Sequence, residues 1–269
     1  MAFQKLPLRL KTLRRRVSPD SPTMSNYFQN LPKYWRTRNA VTYLLWPIEL
    51  LYTLLIGLRK LAYDLGLFNK HQVNATVIVV GNIVAGGGGK TPLTMALVLR
   101  LKAQGHKVGV VSRGYGRSNS GVQIVKAQSL VSEVGDEPLM IFQKCGVPVV
   151  VGSNRVEAAQ HLLQNFPEVC VLVCDDGLQH TALQRNIEIC VMDAMGLGNG
   201  HLLPAGPLRE PWPRPIDLLL HSHQRTLPEG FESHRELSPY ALTSKGQKVP
   251  LESLKSEKVE VVSGIAKPE

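Results

Sequence analysis

The chain has 269 residues, of which 43% are hydrophobic and 19% charged, and its formal net charge at pH 7 is +10. The length suits one large α/β domain or two small ones, and the composition is that of a globular protein, which excludes an intrinsically disordered chain and a polytopic membrane protein. The four cysteines show neither a disulfide framework nor zinc-ligand spacing, so we expect buried thiols in a reducing compartment. They are Cys145, Cys170, Cys174 and Cys190.

The positive charge is concentrated at the start of the chain. Residues 1–38 hold nine Lys or Arg residues and one acidic residue, Asp20, and so account for +8 of the net charge. A basic extension on a nearly neutral body lacks the basic face of a nucleic-acid-binding domain, but it suits attraction to an anionic membrane. We predict a basic tail over residues 1–38 that contacts a membrane surface and binds no nucleic acid.

An apolar stretch follows from Ala40 to Leu58, with Glu49 as its only charged residue. Its length is borderline for spanning a bilayer, which needs about 20 apolar residues. Pro47 and Glu49 lie near its middle, and basic residues flank both ends, as expected of a shallow or monotopic helix. We predict a membrane-associated helix within residues 39–70, and the alternative is a buried core helix.

From residue 71 to 258 the pattern is that of an α/β core, in which short β-branched runs alternate with helical stretches. This alternation predicts a mostly parallel sheet flanked by helices. The predicted strands are 76–80, 107–112, 122–125, 148–151, 169–174, 187–192, 216–220 and 259–262, and the predicted helices are 91–104, 136–145 and 154–165. The Gly- and Pro-rich segment 196–215 is expected to be an irregular loop, and 228–250 a polar excursion.

The first strand runs into a glycine-rich turn, GNIVAGGGGKTP, and then a helix. These are the parts of a phosphate-binding loop, in which backbone N–H groups and the helix N-terminus hold phosphate oxygens. Lys90 is expected to neutralise the β/γ oxygens, and the Thr91 hydroxyl to ligate Mg²⁺. The nucleotide-binding residues are predicted to be Val84, Ala85, Gly86, Gly87, Gly88, Gly89, Lys90 and Thr91.

The loop departs from the strict G-x-x-x-x-G-K-[ST] pattern at Val84, where a glycine is usual. Ala85 occupies the position at which cell-division and partition ATPases carry an additional lysine, which disfavours that class. The sequence also lacks the Asn/Thr-Lys-x-Asp guanine signature, which favours ATP over GTP.

A second polar cluster ends the predicted strand 169–174, in the order Asp175, Asp176, Gly177, Leu178, Gln179, His180. A carboxylate at the end of a parallel strand beside a phosphate-binding loop is well placed to serve Mg²⁺. Asp-Gly is also an ordinary turn signal, and the histidine alone could be structural. Three more junctions, SRGYGR, GDEP and GSNR, are expected at the same edge of the sheet.

Seven segments in chain order carry a family resemblance: GNIVAGGGGKTP, VGVVSRGYGR, VGDEPLMI, VVVGSNRVEAA, CDDGLQH, GNGHLLPAGPLREP and VSGIAKP. Together they resemble the tetraacyldisaccharide 4'-kinases, the lipid A kinases of Gram-negative bacteria. The resemblance implies a P-loop kinase core that transfers the γ-phosphate of ATP, with Mg²⁺, to the 4'-hydroxyl of a tetraacyl glucosamine disaccharide 1-phosphate. It also implies a location at the cytoplasmic face of the bacterial inner membrane, with no protein partner evident.

The resemblance also implies roles for individual residues. Asp136 of GDEP would be the catalytic base, and Lys90, Asp176 and His180 would complete the catalytic set. Asp175, with Thr91, would serve Mg²⁺. The residues implied for the acceptor site are Arg113, Arg155, Gln179, Arg209 and Glu210.

The sequence departs from the family after GIAKP, because the family continues into an Asp-His-His segment that has no counterpart here. Residues 259–269 are therefore expected to be the start of a second lobe that is cut off. The alternative to a kinase is a P-loop nucleotide-switch protein of the metallochaperone or targeting type, which would use the same loop to drive a conformational change.

Overall fold

The computed structural model describes residues 33–86, 89–222, 230–234, 238–243 and 246–255. Several predicted features lie outside these residues. They are most of the basic tail, glycines 87 and 88 of the phosphate-binding loop, the strand 259–262 and the C-terminal segment 259–269.

The core is a mostly parallel eight-stranded sheet in the order β3-β4-β2-β5-β1-β6-β7-β8, with β3 antiparallel to β4. The fold class predicted from the alternating pattern is confirmed. The strands are β1 Thr76–Gly81, β2 Val108–Ser112, β3 Gln123–Ile124, β4 Val149–Val151, β5 Val171–Asp175, β6 Ile187–Met192, β7 Leu218–His221 and β8 Phe231–Glu232.

The helices begin within one residue of the predicted starts, except for a four-residue helix at Val131–Val134 that was not predicted. They are α1 Ala40–Asp64, α2 Lys90–Ala103, α3 Val131–Val134, α4 Asp136–Cys145 and α5 Arg155–Asn165. Alternate residues of β1 point into two apolar clusters on opposite faces of the sheet, as a buried central strand requires. Helix α5 contributes to one cluster, and α2 and α4 contribute to the other.

Helix α1 lies on the surface. Its N-terminus is closed by a capping box, in which the Asn39 side chain accepts the Val41 and Thr42 N–H groups. Only Thr42 and Glu49 are buried within it, whereas apolar side chains such as Leu44 (78% exposed) lie open. The alternative of a core helix is therefore wrong. The helix also continues six residues beyond Leu58, because its helix-forming residues do not stop where the apolar run does.

The segment predicted as a polar excursion contains three short strands. β8 joins the edge of the main sheet, and β9 Tyr240–Leu242 pairs with β10 Lys248–Pro250 in a separate antiparallel ribbon, followed by a 3₁₀ turn at Leu251–Leu254. Strands of two or three residues are too short to show a period-2 pattern, so the sequence did not reveal them. The segment 196–215 has neither helix nor strand, as predicted.

Candidate active site

The register of two central strands builds the site. β1 and β5 are parallel neighbours, with Val80 opposite Asp175. The turn after β1 therefore lies beside the Asp175-Asp176 pair that ends β5. The arrangement is the usual one for ligand binding in open α/β sheets, at the carboxyl ends of the strands.

The phosphate-binding loop starts at Asn82 and ends at the first turn of α2. Gly86 and Gly89 have φ angles of +120° and +75°, a region that favours glycine. The Lys90 ammonium donates to Asn82 Oδ1 at 3.0 Å, and Asn82 Nδ2 donates to the Gly86 carbonyl at 3.1 Å. Lys90 is thus held at the mouth of the loop, where the N-terminus of α2 also favours anions.

The neighbouring carboxylates have opposite environments. Asp175 is 1% exposed and accepts from Thr94 Oγ1 at 2.9 Å, and burial raises its pKa to about 6. Asp176 lies 3.4 Å from Lys90 Nζ and 3.2 Å from Arg209 Nη1. Burial alone would raise the pKa of Asp176, but Lys90 and Arg209 together lower it. Asp176 therefore stays ionised between two cations.

Asp176 also has an unusual backbone. Its φ of +50° is the only positive value for a non-glycine residue among the described residues. Such conformations persist where the surroundings enforce them, and they cluster at functional sites. Here the turn directs the carboxylate toward the phosphate-binding loop.

The irregular segment 196–215 brings Arg209 and Glu210 to the same place. Gln179 joins them, because its Nε2 donates to Glu210 Oε1 at 2.8 Å and to the Asn82 carbonyl at 3.1 Å. Arg214 extends the network by donating to Glu210 at 2.7 Å and by pairing with Glu188. The predicted residues Gln179, Arg209 and Glu210 thus form one hydrogen-bonded group with the loop.

Asp136 is the first residue of α4 and is exposed. Its Oδ1 accepts the Glu137 N–H at 2.9 Å. The preceding Gly135 has φ +90°, and a Cβ there would lie 3.1 Å from the Tyr115 carbonyl. The GDEP and SRGYGR turns are therefore in close backbone contact. Glu137 is near enough to Asp175 to help raise the pKa of that carboxyl.

Arg155 and His180 lie beneath the site. Arg155 is 2% exposed and donates to the carbonyls of Gly152 at 2.6 Å and Asp176 at 3.5 Å, while its Nε has no hydrogen-bond partner. Burial lowers the pKa of His180 to about 4, and the positive charges of Arg155, Arg113 and Arg59 make smaller contributions in the same direction. His180 is therefore neutral near pH 7. Arg113 is exposed.

The residues present fit a magnesium nucleotide. Thr91 and Asp175 supply oxygen donors, which Mg²⁺ prefers. Thr94, one turn after Thr91 on α2, holds Asp175 by a hydrogen bond. The space around Gly86 is open, since a Cβ built there would meet no atom within 4 Å. The loop can therefore approach phosphates closely.

One edge of the parallel sheet thus holds a glycine-rich loop, a lysine, paired carboxylates and an arginine. These features define a P-loop protein that binds phosphoryl groups. The family model for tetraacyldisaccharide-1-P 4'-kinase matches residues 41–269. The chain belongs to this kinase family, which confirms the resemblance seen in its motifs.

Similar proteins carry the name of the same kinase family. The chain is 49% identical over 245 residues to the tetraacyldisaccharide 4'-kinase of Polaromonas naphthalenivorans (strain CJ2), covering 90% of this chain and 71% of that protein. It is 48% identical to the enzyme of the same name from Acidovorax sp. (strain JS42), with 87% and 70% covered. The crystal structure of LpxK from Aquifex aeolicus in complex with ATP aligns with a TM-score of 0.70 at 33% identity, covering 81% of this chain and 72% of that one.

Several residues of the site were not predicted from the sequence. Asn82, Thr94 and Arg214 make polar contacts that hold predicted site residues, and Glu188 pairs with Arg214. Asn82 had a local signal, because it follows β1 directly within the loop motif. Arg214 had only its i,i+4 spacing to Glu210, and Glu188 lies 26 positions from Arg214.

Proposed function

We propose that this chain transfers the γ-phosphate of ATP to the 4'-hydroxyl of an acylated glucosamine disaccharide 1-phosphate, at the cytoplasmic face of the inner membrane. The observation that carries the proposal is that the cluster of Lys90, Asp176 and Arg209 lies beside an exposed apolar helix. Tyr52 of α1 donates to the Arg209 carbonyl at 3.1 Å, and Arg59 to the Gln179 carbonyl at 3.2 Å. A water-soluble acceptor would not need such an arrangement.

Phosphoryl transfer depends mainly on positioning and on neutralisation of charge. Lys90 and Arg209 would bind oxygens of the transferred group, exchanging part of their present contact with Asp176 for the nucleotide. Thr91 and Asp175 would hold Mg²⁺, which neutralises charge on the phosphates when bound. Arg155 would act through the Asp176 backbone, because its side chain is buried.

Asp136 would accept the proton of the acceptor hydroxyl. Its Oδ1 already accepts the Glu137 N–H, so Oδ2 is the oxygen left for that proton. Arg113, Gln179 and Glu210 would orient the acceptor. His180, which is neutral, would act as a hydrogen-bonding group rather than as a cation.

Helix α1 would lie in the membrane interface. Its exposed leucines form the apolar face, and Arg36 and Arg38 at its start would contact anionic headgroups. The nucleotide-switch alternative is not favoured by the family to which the chain belongs.

The experiment is an incubation of the chain with ATP, Mg²⁺ and tetraacyl disaccharide 1-phosphate in mixed micelles. Mass spectrometry should show a product heavier by one phosphate, and ³¹P NMR should place it at the 4' position. Lys90→Ala is the negative control. Hydrolysis of ATP without phosphorylation of the disaccharide would refute the proposal and favour a nucleotide switch.

A further inference from the structure

Glu49 is out of place in an apolar membrane-binding helix, and the proposed function gives it no role. It is 8% exposed. Its Oε1 accepts the Leu202 N–H at 2.8 Å, and its Oε2 lies 2.8 Å from His201 Nδ1. A buried carboxylate is costly unless it is hydrogen-bonded, and both oxygens of Glu49 are bonded to the same irregular segment.

Further polar contacts join the N-terminal region to this segment. Asn199 Nδ2 donates to Thr42 Oγ1 at 3.2 Å, and the Asn199 N–H donates to the Trp35 carbonyl at 2.7 Å. Trp35 Nε1 donates in turn to the Pro204 carbonyl at 3.0 Å. The segment 199–209, which we call the tether loop, is thus fastened to residues 35–52 along its length.

The other side of the tether loop contacts the phosphate-binding loop. The Ala85 N–H donates to the Pro207 carbonyl at 2.7 Å, and the Arg209 N–H donates to the Ile83 carbonyl at 2.6 Å. Val84 and Leu208 pair as an antiparallel bridge. The tether loop therefore lies between α1 and the phosphate-binding loop and is bonded to both.

We propose that Glu49 is a positioning residue for phosphoryl transfer, which fixes the tether loop through Leu202 and His201 and thereby holds the Arg209 guanidinium against Asp176. The inference rests on the proposed function, because it takes Arg209 to neutralise the transferred group. Glu49 itself touches neither nucleotide nor acceptor.

The first test is a double-mutant cycle of kcat, measured with acceptor in detergent micelles so that vesicle binding does not limit turnover. Glu49→Ala should lower kcat about tenfold, as displacement of a positioned group does. Glu49→Gln, whose amide oxygen still accepts the Leu202 N–H, should stay within about threefold of wild type. In an Arg209→Ala background Glu49→Ala should cost less than about twofold, because the group that it positions is gone. Equal losses in both backgrounds would overturn the inference.

The second test is independent of kinase activity. Hydrogen exchange of the amides at 83–85 and 199–209 should accelerate in Glu49→Ala, while Leu54→Ala on the exposed face of α1 should leave these amides unchanged. If Glu49→Ala does not fold, Glu49→Asp carries this test: its carboxylate is one methylene too short to reach both partners, so exchange of the Leu202 amide should still accelerate. Unchanged exchange would overturn the inference. Absence of phosphorylated product from wild type would refute the proposed function instead, and exchange would still decide the role of Glu49.

Discussion

The two sides of the active site are built in different ways. On one side Lys90 begins α2, and Asp175 and Asp176 lie at the end of β5, elements whose backbone groups are bonded within regular structure. On the other side Arg209 and Glu210 belong to a segment without helix or strand. That segment is fixed by separate hydrogen bonds to α1 and to the phosphate-binding loop. The charged groups of the first side are thus placed by regular secondary structure, and those of the second side by long-range hydrogen bonds.

This difference implies different sensitivities to mutation. Substitutions on the sheet side should remove chemistry without disturbing the scaffold. Substitutions on the tether-loop side should act by displacing active-site groups. Each should therefore have a smaller effect on activity, because several residues share the task of holding those groups. Variants on the two sides should therefore differ in the size of their effect on turnover.

Lys90→Ala should lower kcat about 10³-fold with the fold intact, because the ammonium is expected to stabilise charge on the transferring group. Lys102→Ala on the same helix is the matched control. Its Nζ caps the Cys145 and Gly146 carbonyls at the end of α4, so it should leave kcat unchanged. Steady-state turnover and circular dichroism check both variants. Normal turnover in folded Lys90→Ala would refute the phosphate-loop assignment.

Asp136→Asn should lower kcat about 10²-fold and leave the KM for ATP within about twofold, since it removes the proton acceptor and not a nucleotide contact. Glu133→Gln in the preceding short helix is the control. Its Oε2 caps the Leu130 N–H, a bond that an amide oxygen preserves. An effect of Asp136→Asn on ATP affinity alone would make Asp136 only a stabiliser of the α4 N-terminus.

Replacing Leu54 and Leu58 together by serine should reduce binding to anionic vesicles by about tenfold or more, because the apolar face of α1 loses buried area. High salt should weaken wild-type binding without abolishing it, since salt screens only the basic residues. Sedimentation with vesicles measures both effects. Leu99→Ser, an exposed leucine on α2, is the control, and equal losses in the two variants would argue against α1 as the anchor.

Arg214→Ala should lower kcat/KM about three- to fivefold, because Glu210 and Glu188 both lose a half-buried ionic partner. The exposed Arg100 on α2 provides the control Arg100→Ala. The contrast between the two sides would fail if Arg214→Ala were as damaging as Lys90→Ala.

The smallest effect concerns His180. Its pKa is lowered to about 4 in the folded chain, whereas an unfolded histidine titrates near 6.5. The unfolded state therefore binds more protons between these values, so stability should fall as the pH falls from about 6.5 to about 4. Urea unfolding at pH 7 and pH 5 should show that the free energy of unfolding falls less between these pH values for His180→Gln than for wild type. An equal loss would mean that His180 is protonated in the folded chain.

The sheet side of the site was largely predictable from the sequence. Buried strands, the glycine-rich turn and the acidic pair are local patterns, and their adjacency follows from the parallel topology that those patterns indicate. The helix at Asp136–Cys145 was predicted at its observed bounds, because an acid and a proline mark its first turn.

The tether-loop side was predictable only by resemblance. Arg209 and Glu210 are assigned through the family motif, and nothing in their spacing indicates that Arg209 reaches Asp176 or that Glu210 reaches Gln179. Glu49 is visible in the sequence as the one charge in an apolar run, but its partners His201 and Leu202 lie 152 and 153 positions further along the chain. Contacts over such separations have no periodic signature in the sequence, so only the structure reveals the hydrogen bonds that fix this segment.

The attachment of α1 to the tether loop also bears on how the enzyme would meet its acceptor. With α1 in the interface, only α1 and the tether loop would separate the phosphate-binding loop from the lipid surface. An acylated disaccharide would then need to raise only its sugar headgroup, with its chains still in the bilayer. Encounter would be a two-dimensional search, so turnover would follow the mole fraction of acceptor in the membrane and not its bulk concentration. Dilution with inert lipid at constant total acceptor would therefore slow the reaction.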